Sequence, residues 1–343
     1  MAMSVNARSC LIKAAMLLFL CCLLVFPSEA LSGAKSGLLL WFNQVLPSLL
    51  PFLILSTLFL STGLSDNIAK KAAPVLTPVF RCSPAGCYAV VIGLLAGLPV
   101  GAKNIAELTK SGRITKKEGQ YLLPLCNNPS PLFILGFVSV SVLNRPELRY
   151  LILFIVTASS ILAAMLMRPR SNSIVAASHT EITDNRTFVA KQPADTSFLE
   201  PNYRNTPQKS FTFSFLLLDS AIEQAFSVLT RVGGYIILFS VLANLLTKLP
   251  LPPFFLACTG AFLEITTGSN ALASLSVPSH VSIAMVAAFV TFGGLSTAAQ
   301  TKSVLAGTKF PFAHYLLTKA VAGLIAGVLT TIILNLLFAF DVL

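Results

Sequence analysis

Residues 121–143, YLLPLCNNPSPLFILGFVSVSVL, form an apolar segment that carries a polar interruption at its centre. About 20 apolar residues in a helix span the hydrocarbon core of a bilayer, so the segment is long enough to cross a membrane. The prolines of the NNPSP sequence at 127–131 remove backbone donors, and regular helical hydrogen bonding must fail there. Unpaired backbone groups are costly in lipid, so such a break is expected only where protein, water or a bound solute satisfies them.

The composition of the chain is that of a membrane protein. Of its 343 residues, 55% are hydrophobic and only 11% are charged, whereas a soluble globular domain carries roughly 25% charged residues. This balance excludes a soluble enzyme, a disordered protein and a disulfide-stapled secreted domain. The seven cysteines show no CxxC or Cys/His zinc spacing, so no metal site is expected. The net charge of +11 is explained by cytoplasmic loops rich in Lys and Arg, and no nucleic-acid partner is needed.

Further apolar segments predict several membrane crossings. The first run, at about 10–26, is either a signal peptide or a retained membrane helix, and both alternatives leave the N-terminus in the cytoplasm. The span at 38–60 is expected to kink at its two internal prolines. Glycine, proline or polar residues interrupt 85–101 and 253–275, which are predicted to be re-entrant hairpins. The remaining crossings are expected at 121–143, 150–167, 211–248 (after an amphipathic lead-in), 281–305 and 312–339.

The basic residues sort by side of the membrane. Those of 70–81 and 103–117 fall on segments expected in the cytoplasm, whereas Lys35 and Lys248 fall on segments expected outside. Lys319 is placed near a membrane boundary. Because cytoplasmic loops carry the excess of Lys and Arg, the sequence predicts a multi-pass membrane protein with a cytoplasmic N-terminus.

The segments divide the chain into four parts that contain an internal repeat. In both repeats the order is helix, re-entrant hairpin, broken helix, and three full crossings between their starts invert the second copy. The predicted fold is therefore an all-α polytopic membrane protein with an inverted repeat, as in many secondary transporters. The parts are an N-terminal membrane helix and outer loop (1–37), a first transmembrane repeat (38–167), a cytoplasmic flexible linker (168–212) and a second transmembrane repeat (213–343).

Three sequence matches in the same order support the repeat. Each is weak alone, since apolar segments align by chance. The matches pair Val45-Leu46 with Val228-Leu229, Gly93 and Gly101 with Gly260 and Gly268, and Gly136 and Ser139 with Gly293 and Ser296.

Polar residues at the breaks are the candidates for a solute-binding site. Glu264 places a carboxylate within an apolar hairpin, which is costly and suggests function, although a structural pairing near the membrane surface is the alternative. Asn127, Asn128 and Ser130 can donate and accept hydrogen bonds to a polar solute, or they can cap the broken helix ends. The other candidates are Thr266, Thr267, Ser269 and Asn270 at the tip of the second hairpin, and Ser296, Thr297 and Gln300 in the second broken helix, where interhelical hydrogen bonding is the alternative. No catalytic residues and no cofactor are predicted.

The two repeats contain five distinctive motifs: PSLLPF at 47–52, GLPVGAK at 97–103, NNPSPLFILG at 127–136, FLEIT at 262–266 and FGGLS at 292–296. Together they resemble the nucleoside recognition (Gate) domain family, and within it the sporulation membrane proteins of endospore-forming bacteria. The resemblance covers most of 25–335, and the linker carries none of it. It implies a role in spore formation, particularly of the spore cortex, and kinship with the gate region of nucleoside transporters, whose hairpins and broken helices cradle substrate. The alanines at 298 and 299 depart from a polar motif in which the family is expected to have His.

Two functions follow as hypotheses. The first is a secondary-transporter-like or gate module that moves or senses a small polar solute, with or without a coupling cation. The second is a non-transporting membrane scaffold for proteins of cortex assembly, in which the loops at 102–120 and 168–212 would matter more than the hairpins. Besides the lipid bilayer, the partners left open are a second copy of the chain and other sporulation membrane proteins.

Overall fold

The computed structural model describes residues 5–168 and 215–339, and throughout these ranges the regular structure is helical. Within these two ranges, five helices are long and apolar enough to cross a membrane, and the all-α polytopic fold is confirmed. They are Pro27–Ser61, Pro146–Leu166, Phe215–Leu246, Ser279–Val304 and Phe312–Leu337. Except for residue 168, the predicted linker lies outside the described residues.

The first repeat begins with a helix that is longer than predicted. The helix from Pro27 to Ser61, here called long helix 1, starts at a proline in its first turn, which suits that position. The outer loop predicted before residue 38 is therefore wrong: the glycines of this stretch pack against the second repeat and hold it helical. The internal prolines do not end the helix: Pro47 comes directly after a π-helical turn at Trp41–Val45, and Pro51 lies inside the helical stretch Leu46–Ser61.

Two hairpins and two broken helices follow the predicted order. Hairpin 1 consists of Pro84–Ala96 and Val100–Lys110, and hairpin 2 of Pro253–Leu263 and Ile265–Ala273. Broken helix 1 consists of Lys116–Cys126 and the π-helical Phe133–Val142. Broken helix 2 consists of Ser279–Phe292 and Gly294–Val304.

The remaining helices frame these elements. Val5–Val25 precedes long helix 1 and exposes many of its apolar side chains, as lipid contact requires. The amphipathic helix Leu64–Phe80 meets hairpin 1 at 90°. Arg149–Leu166 and Phe312–Ala339, here called closing helices 1 and 2, end the two repeats and pack against each other. Long helix 2, Phe215–Leu246, begins the second repeat.

The two long helices run antiparallel in close contact, as an inverted repeat requires. A Cβ on Gly33 would lie 2.8 Å from the Cα of Val241, so only glycine allows this approach. The indole Nε1 of Trp41 donates a hydrogen bond of 2.9 Å to the carbonyl oxygen of Leu229. Along the pair, the contacts join Gly33 with Val241, Gly37 with Ile237 and Trp41 with Gly233.

Of the proposed repeat matches, the structure supports the one between the hairpins and contradicts the one between the broken helices. The match of Gly101 with Gly268 aligns Gly97 with Glu264 in the sequence, and these two residues lie at the breaks of the two hairpins. The match of Gly136 with Gly293 is wrong, because Gly136 lies inside the continuous helix Phe133–Val142 whereas Gly293 is itself the break. The structural counterpart of Gly293 is the 127–131 segment, and the apolar flanks of both segments explain the false alignment.

Contacts between distant segments agree with the predicted sides of the membrane. Arg113 forms an ion pair with Asp66, and both were predicted in the cytoplasm. Lys248 forms an ion pair with Glu29, on the side predicted to be external. These pairs fix which segments share a side, and the absolute orientation of the chain stays a prediction.

Candidate functional site

A cavity lies where the two long helices, both hairpin breaks and the two broken helices meet. Its volume, counted together with the open space at its mouth, is about 520 Å³. Both repeats contribute to its walls, as expected for a site at a repeat interface. The lining residues are Val45, Ser48, Leu49, Leu98, Pro129, Ser130 and Phe133 from the first repeat and Val232, Ile236, Glu264, Ile265, Thr266, Thr297 and Gln300 from the second.

The break of hairpin 1 packs directly on the break of broken helix 1. Gly97 has φ +73°, and a Cβ there would lie 2.6 Å from the backbone oxygen of Asn128 and from the backbone nitrogen of Ser130. The amide of Leu98 donates a hydrogen bond of 2.7 Å to the same Asn128 oxygen. The two breaks thus satisfy each other's backbone and hold Leu98 and Ser130 on the cavity wall.

Glu264 forms the break of hairpin 2 and caps its second arm. Its backbone is extended (φ −140°, ψ 116°), and its Oε2 accepts hydrogen bonds from the Thr267 amide at 2.8 Å and from the Thr266 hydroxyl. A carboxylate at a helix N-terminus is favoured by the helix dipole. Only 1% of the residue is exposed, and no hydrogen bond in the described part of the chain involves its Oε1. One oxygen therefore holds the hairpin, and the other is left for a partner from the cavity.

Three further polar residues of the cavity wall come from the broken helices. The hydroxyl of Ser130 accepts a hydrogen bond of 3.2 Å from the Phe133 amide and so caps the second half of broken helix 1. Thr297 and Gln300 lie one turn apart in broken helix 2, and the amide of Gln300 donates 3.2 Å to the buried hydroxyl of Ser296. The alanines that depart from the family pattern at 298 and 299 do not line the cavity.

Asn127 and Asn128 point away from the cavity into a second polar cluster. The Asn127 amide donates to the hydroxyls of Thr301 at 2.8 Å and Tyr315 at 2.9 Å. The Asn128 amide donates 2.7 Å to the Leu125 carbonyl oxygen, so its capping role is present. Its Oδ1 accepts a hydrogen bond of 2.7 Å from the Nζ of Lys319.

Comparison with known proteins supplies a relative. The chain is related to a sporulation membrane protein. It is 26% identical over 345 aligned residues to the sporulation integral membrane protein YlbJ of Bacillus subtilis (strain 168), and the alignment covers 95% of this chain and 83% of the relative. No protein-family model and no solved structure matches the chain. The comparison supports a multi-pass membrane protein, and membership of the Gate domain family stays a prediction.

The structure brings five of the predicted site residues to the cavity: Ser130, Glu264, Thr266, Thr297 and Gln300. Ser296 lies behind Gln300, and Thr267 joins hairpin 2 to long helix 2 through its contact of 3.1 Å with Ser240. Asn270 is exposed and donates to the Thr266 carbonyl oxygen, whereas Ser269 is buried and its hydroxyl has no partner among the described residues.

Sequence reasoning missed the burial of Lys319. This residue was placed near a membrane boundary, yet its side chain is 1% exposed and reaches the break of broken helix 1. The signal was present, because Lys319 is the single charged residue in the apolar helix Phe312–Ala339. Ionisable residues inside membrane helices are rare and usually functional.

Proposed function

We propose that this chain is a secondary-transporter-like membrane protein whose cavity binds a small polar solute, and that it acts in spore formation. The observation that carries the transport proposal is the cavity between the two repeats, with Glu264 buried in its wall and one carboxylate oxygen that has no hydrogen-bond partner among the described residues. The similarity to a sporulation integral membrane protein supports the sporulation role. The motif resemblance adds the spore cortex as the process and the Gate domain family as the kinship.

The architecture of the cavity suits alternating access. Its walls come from two repeats that contact each other through packed helices, so a rocking of one repeat against the other would open the cavity to either side. The hairpin breaks and the break of broken helix 1 meet at this point and have polar backbone groups that a solute can reach. In this proposal the breaks of the two hairpins act as the gates that open or close the cavity.

The lining indicates the chemistry of the solute. Glu264 calls for a hydrogen-bond donor or a cationic group, while Thr297 and Gln300 can both donate and accept. Leu98, Ile265 and other apolar side chains form the rest of the wall. The solute that fits best has a compact apolar body and at least one donating group directed at the carboxylate.

Uptake by the purified protein in liposomes tests the proposal. Labelled nucleosides, amino acids and amino sugars are screened with and without ion gradients. The transported compound should also change the fluorescence of Trp41, the sole tryptophan, because it lies one turn before the cavity residue Val45. Loss of a hydrogen bond to a charged group is worth about 1.5–3 kcal/mol, so Glu264→Gln should weaken binding about tenfold or more. Glu147→Gln, at an exposed position, is the matched control.

Negative results would be equally clear. If no compound of the screen moves or changes the Trp41 fluorescence, transport by this cavity is refuted. A second test expresses variants in a Bacillus subtilis strain that lacks YlbJ. If the chain restores spores there and Glu264→Gln restores them equally well at normal protein levels, while changes in 102–120 abolish spores, the scaffold hypothesis replaces the transporter.

A further inference from the structure

The most unusual charge among the described residues is the ammonium group of Lys319. It lies in closing helix 2 with 1% of the residue exposed, and its Nζ donates 2.7 Å to the side-chain oxygen of Asn128. An ammonium group has three donors, and this neutral amide oxygen is the one acceptor that the described residues supply.

Within residues 5–168 and 215–339, no carboxylate forms an ion pair with this ammonium group. The ion pairs among the described residues join Lys103 with Glu107, Arg113 with Asp66, Arg145 with Glu147 and Lys248 with Glu29. A buried ion without a counter-ion is expensive, and proteins usually pair such ions or let them lose their charge.

The titratable groups around Lys319 are few and mostly engaged elsewhere. In its own cluster are Tyr315, one turn earlier, whose hydroxyl accepts from Asn127, and Cys126 at the end of the first half of broken helix 1. Farther along that half-helix, Glu118 accepts from the Ser83 amide and Tyr121 lies under Arg168. Closing helix 1 and broken helix 2 also pack against closing helix 2. Their titratable residues lie in the first turn of each helix, namely Arg149 and Tyr150 on closing helix 1 and His280 on broken helix 2.

The environment of Lys319 nevertheless suits a cation. The first half of broken helix 1 ends at Cys126, and the last carbonyls of a helix form the negative end of its dipole. Beside it, the Oδ1 of Asn127 is a buried acceptor without a partner among the described residues. In transporters with broken helices, C-terminal half-helix ends and unwound carbonyls are where coupling cations bind. Here the Lys319 ammonium reaches such an end.

Asn128 connects this charge to the cavity. Its side chain accepts from Lys319, its backbone oxygen accepts from Leu98, and Ser130 follows two residues later. Both Leu98 and Ser130 line the cavity wall. Asn128 therefore contacts both Lys319 and the cavity-lining residue Leu98, so a change at the Lys319–Asn128 contact can reach the proposed solute site through Asn128.

We propose that Lys319 is the coupling site of this protein and that its ligand is the proton; this inference rests on the proposed transport function. With the proton bound, the ammonium donates to Asn128 and ties the 127–131 segment to closing helix 2. When the proton leaves to water, a neutral amine remains and the charge-assisted hydrogen bond is lost. The 127–131 segment is then free to move away from closing helix 2 and carries with it Ser130 and, through the Leu98–Asn128 hydrogen bond, Leu98, both of which line the cavity.

Proton binding can be measured without any solute. The protein is labelled with ¹³C at lysine Cε, and the lysine resonances are followed in detergent micelles while the pH is varied. Ordinary lysines keep their proton up to about pH 10. One resonance of the wild type should lose its proton within about pH 5–9 and be absent from Lys319→Arg, whereas Lys302→Met, a change at an exposed lysine, should retain it. Asn128→Asp supplies a carboxylate partner and should keep this resonance protonated throughout. If every wild-type lysine stays protonated to pH 9, the proposal is overturned.

Transport supplies the second readout and separates the two proposals. In liposomes, a pH gradient should drive solute accumulation by the wild type, and Lys319→Arg should exchange the solute without accumulating it. Accumulation driven by a sodium gradient and insensitive to the pH gradient would overturn the proton assignment alone. Absence of any solute movement would overturn the proposed function, while the resonance of Lys319 would still report whether this lysine exchanges its proton.

Discussion

Substitution of Gly268 by alanine should force the arms of hairpin 2 apart. A Cβ at Gly268 would lie 2.1 Å from the Cα and the amide nitrogen of Ala261, whereas ordinary contact begins at 3.4 Å. The arms must therefore separate by about 1.3 Å, because the obstacle is backbone and cannot turn aside. Gly260 is the matched control in the opposite arm, since its nearest neighbour would be 3.8 Å away.

The two variants should change stability in opposite directions. Overpacking costs about 1–3 kcal/mol, while a tolerated Gly→Ala change in a helix gains about 0.4–1 kcal/mol. Gly268→Ala should therefore be less stable than Gly260→Ala by roughly 1.5–4 kcal/mol. Separation of the arms would also disturb broken helix 2, because Gly294 packs against the carbonyl oxygens of residues 261–263. A Cβ on Gly294 would lie 3.3–3.4 Å from these oxygens.

Thermal unfolding in detergent, followed with a thiol-reactive dye, measures this difference. Cys82, Cys87 and Cys126 are buried and become reactive only when the helices open. A difference of this size corresponds to a midpoint about 3–10 °C lower for Gly268→Ala. Equal midpoints for the two variants would show that the arms do not approach as closely as described, and the placement of Glu264 between them would have to be abandoned.

Three other substitutions have defined outcomes in the same unfolding assay. Asn128→Ala leaves the buried Lys319 without its acceptor and should destabilise by about 1.5–3 kcal/mol, an effect that Lys319→Met in the same chain should relieve. Ser83→Ala removes the N-cap of hairpin 1 and should cost about 0.5–2 kcal/mol; no loss would mean that this cap is dispensable. Trp41→Phe breaks the indole bond to the Leu229 carbonyl and should cost about 1 kcal/mol, and an unchanged midpoint would contradict this link between the long helices.

The sequence was sufficient to predict where the helices break. Proline in the 127–131 segment, glycine and proline at 97–99, and glycine at 293 each remove a helical donor or permit an unusual backbone conformation, and the breaks lie there. These signals are local, so they need no knowledge of the fold. Glu264 was singled out as a carboxylate within the apolar second hairpin, but its role as the cap of the second arm was not predicted.

The direction of the side chains at those breaks could not be predicted. Whether Asn127 faces a cavity or Tyr315 depends on how closing helix 2 packs against broken helix 1, and these residues are 188 positions apart in the chain. The same packing buries Lys319, whose position in the sequence suggested only a helix end. Long-range packing also explains the early start of long helix 1, since Gly33 becomes helical against a partner more than two hundred residues away.

The double role of Glu264 links binding of a ligand in the cavity to the structure of hairpin 2. The carboxylate that caps the second arm of hairpin 2 is the same group that a cavity ligand would reach. A ligand that turns both oxygens toward itself takes the cap from the Thr267 amide, so the first turn of that arm has to unwind as the ligand settles. Ligand capture and local melting would then be one event, and the length of the helical arm would report whether the cavity is full or empty.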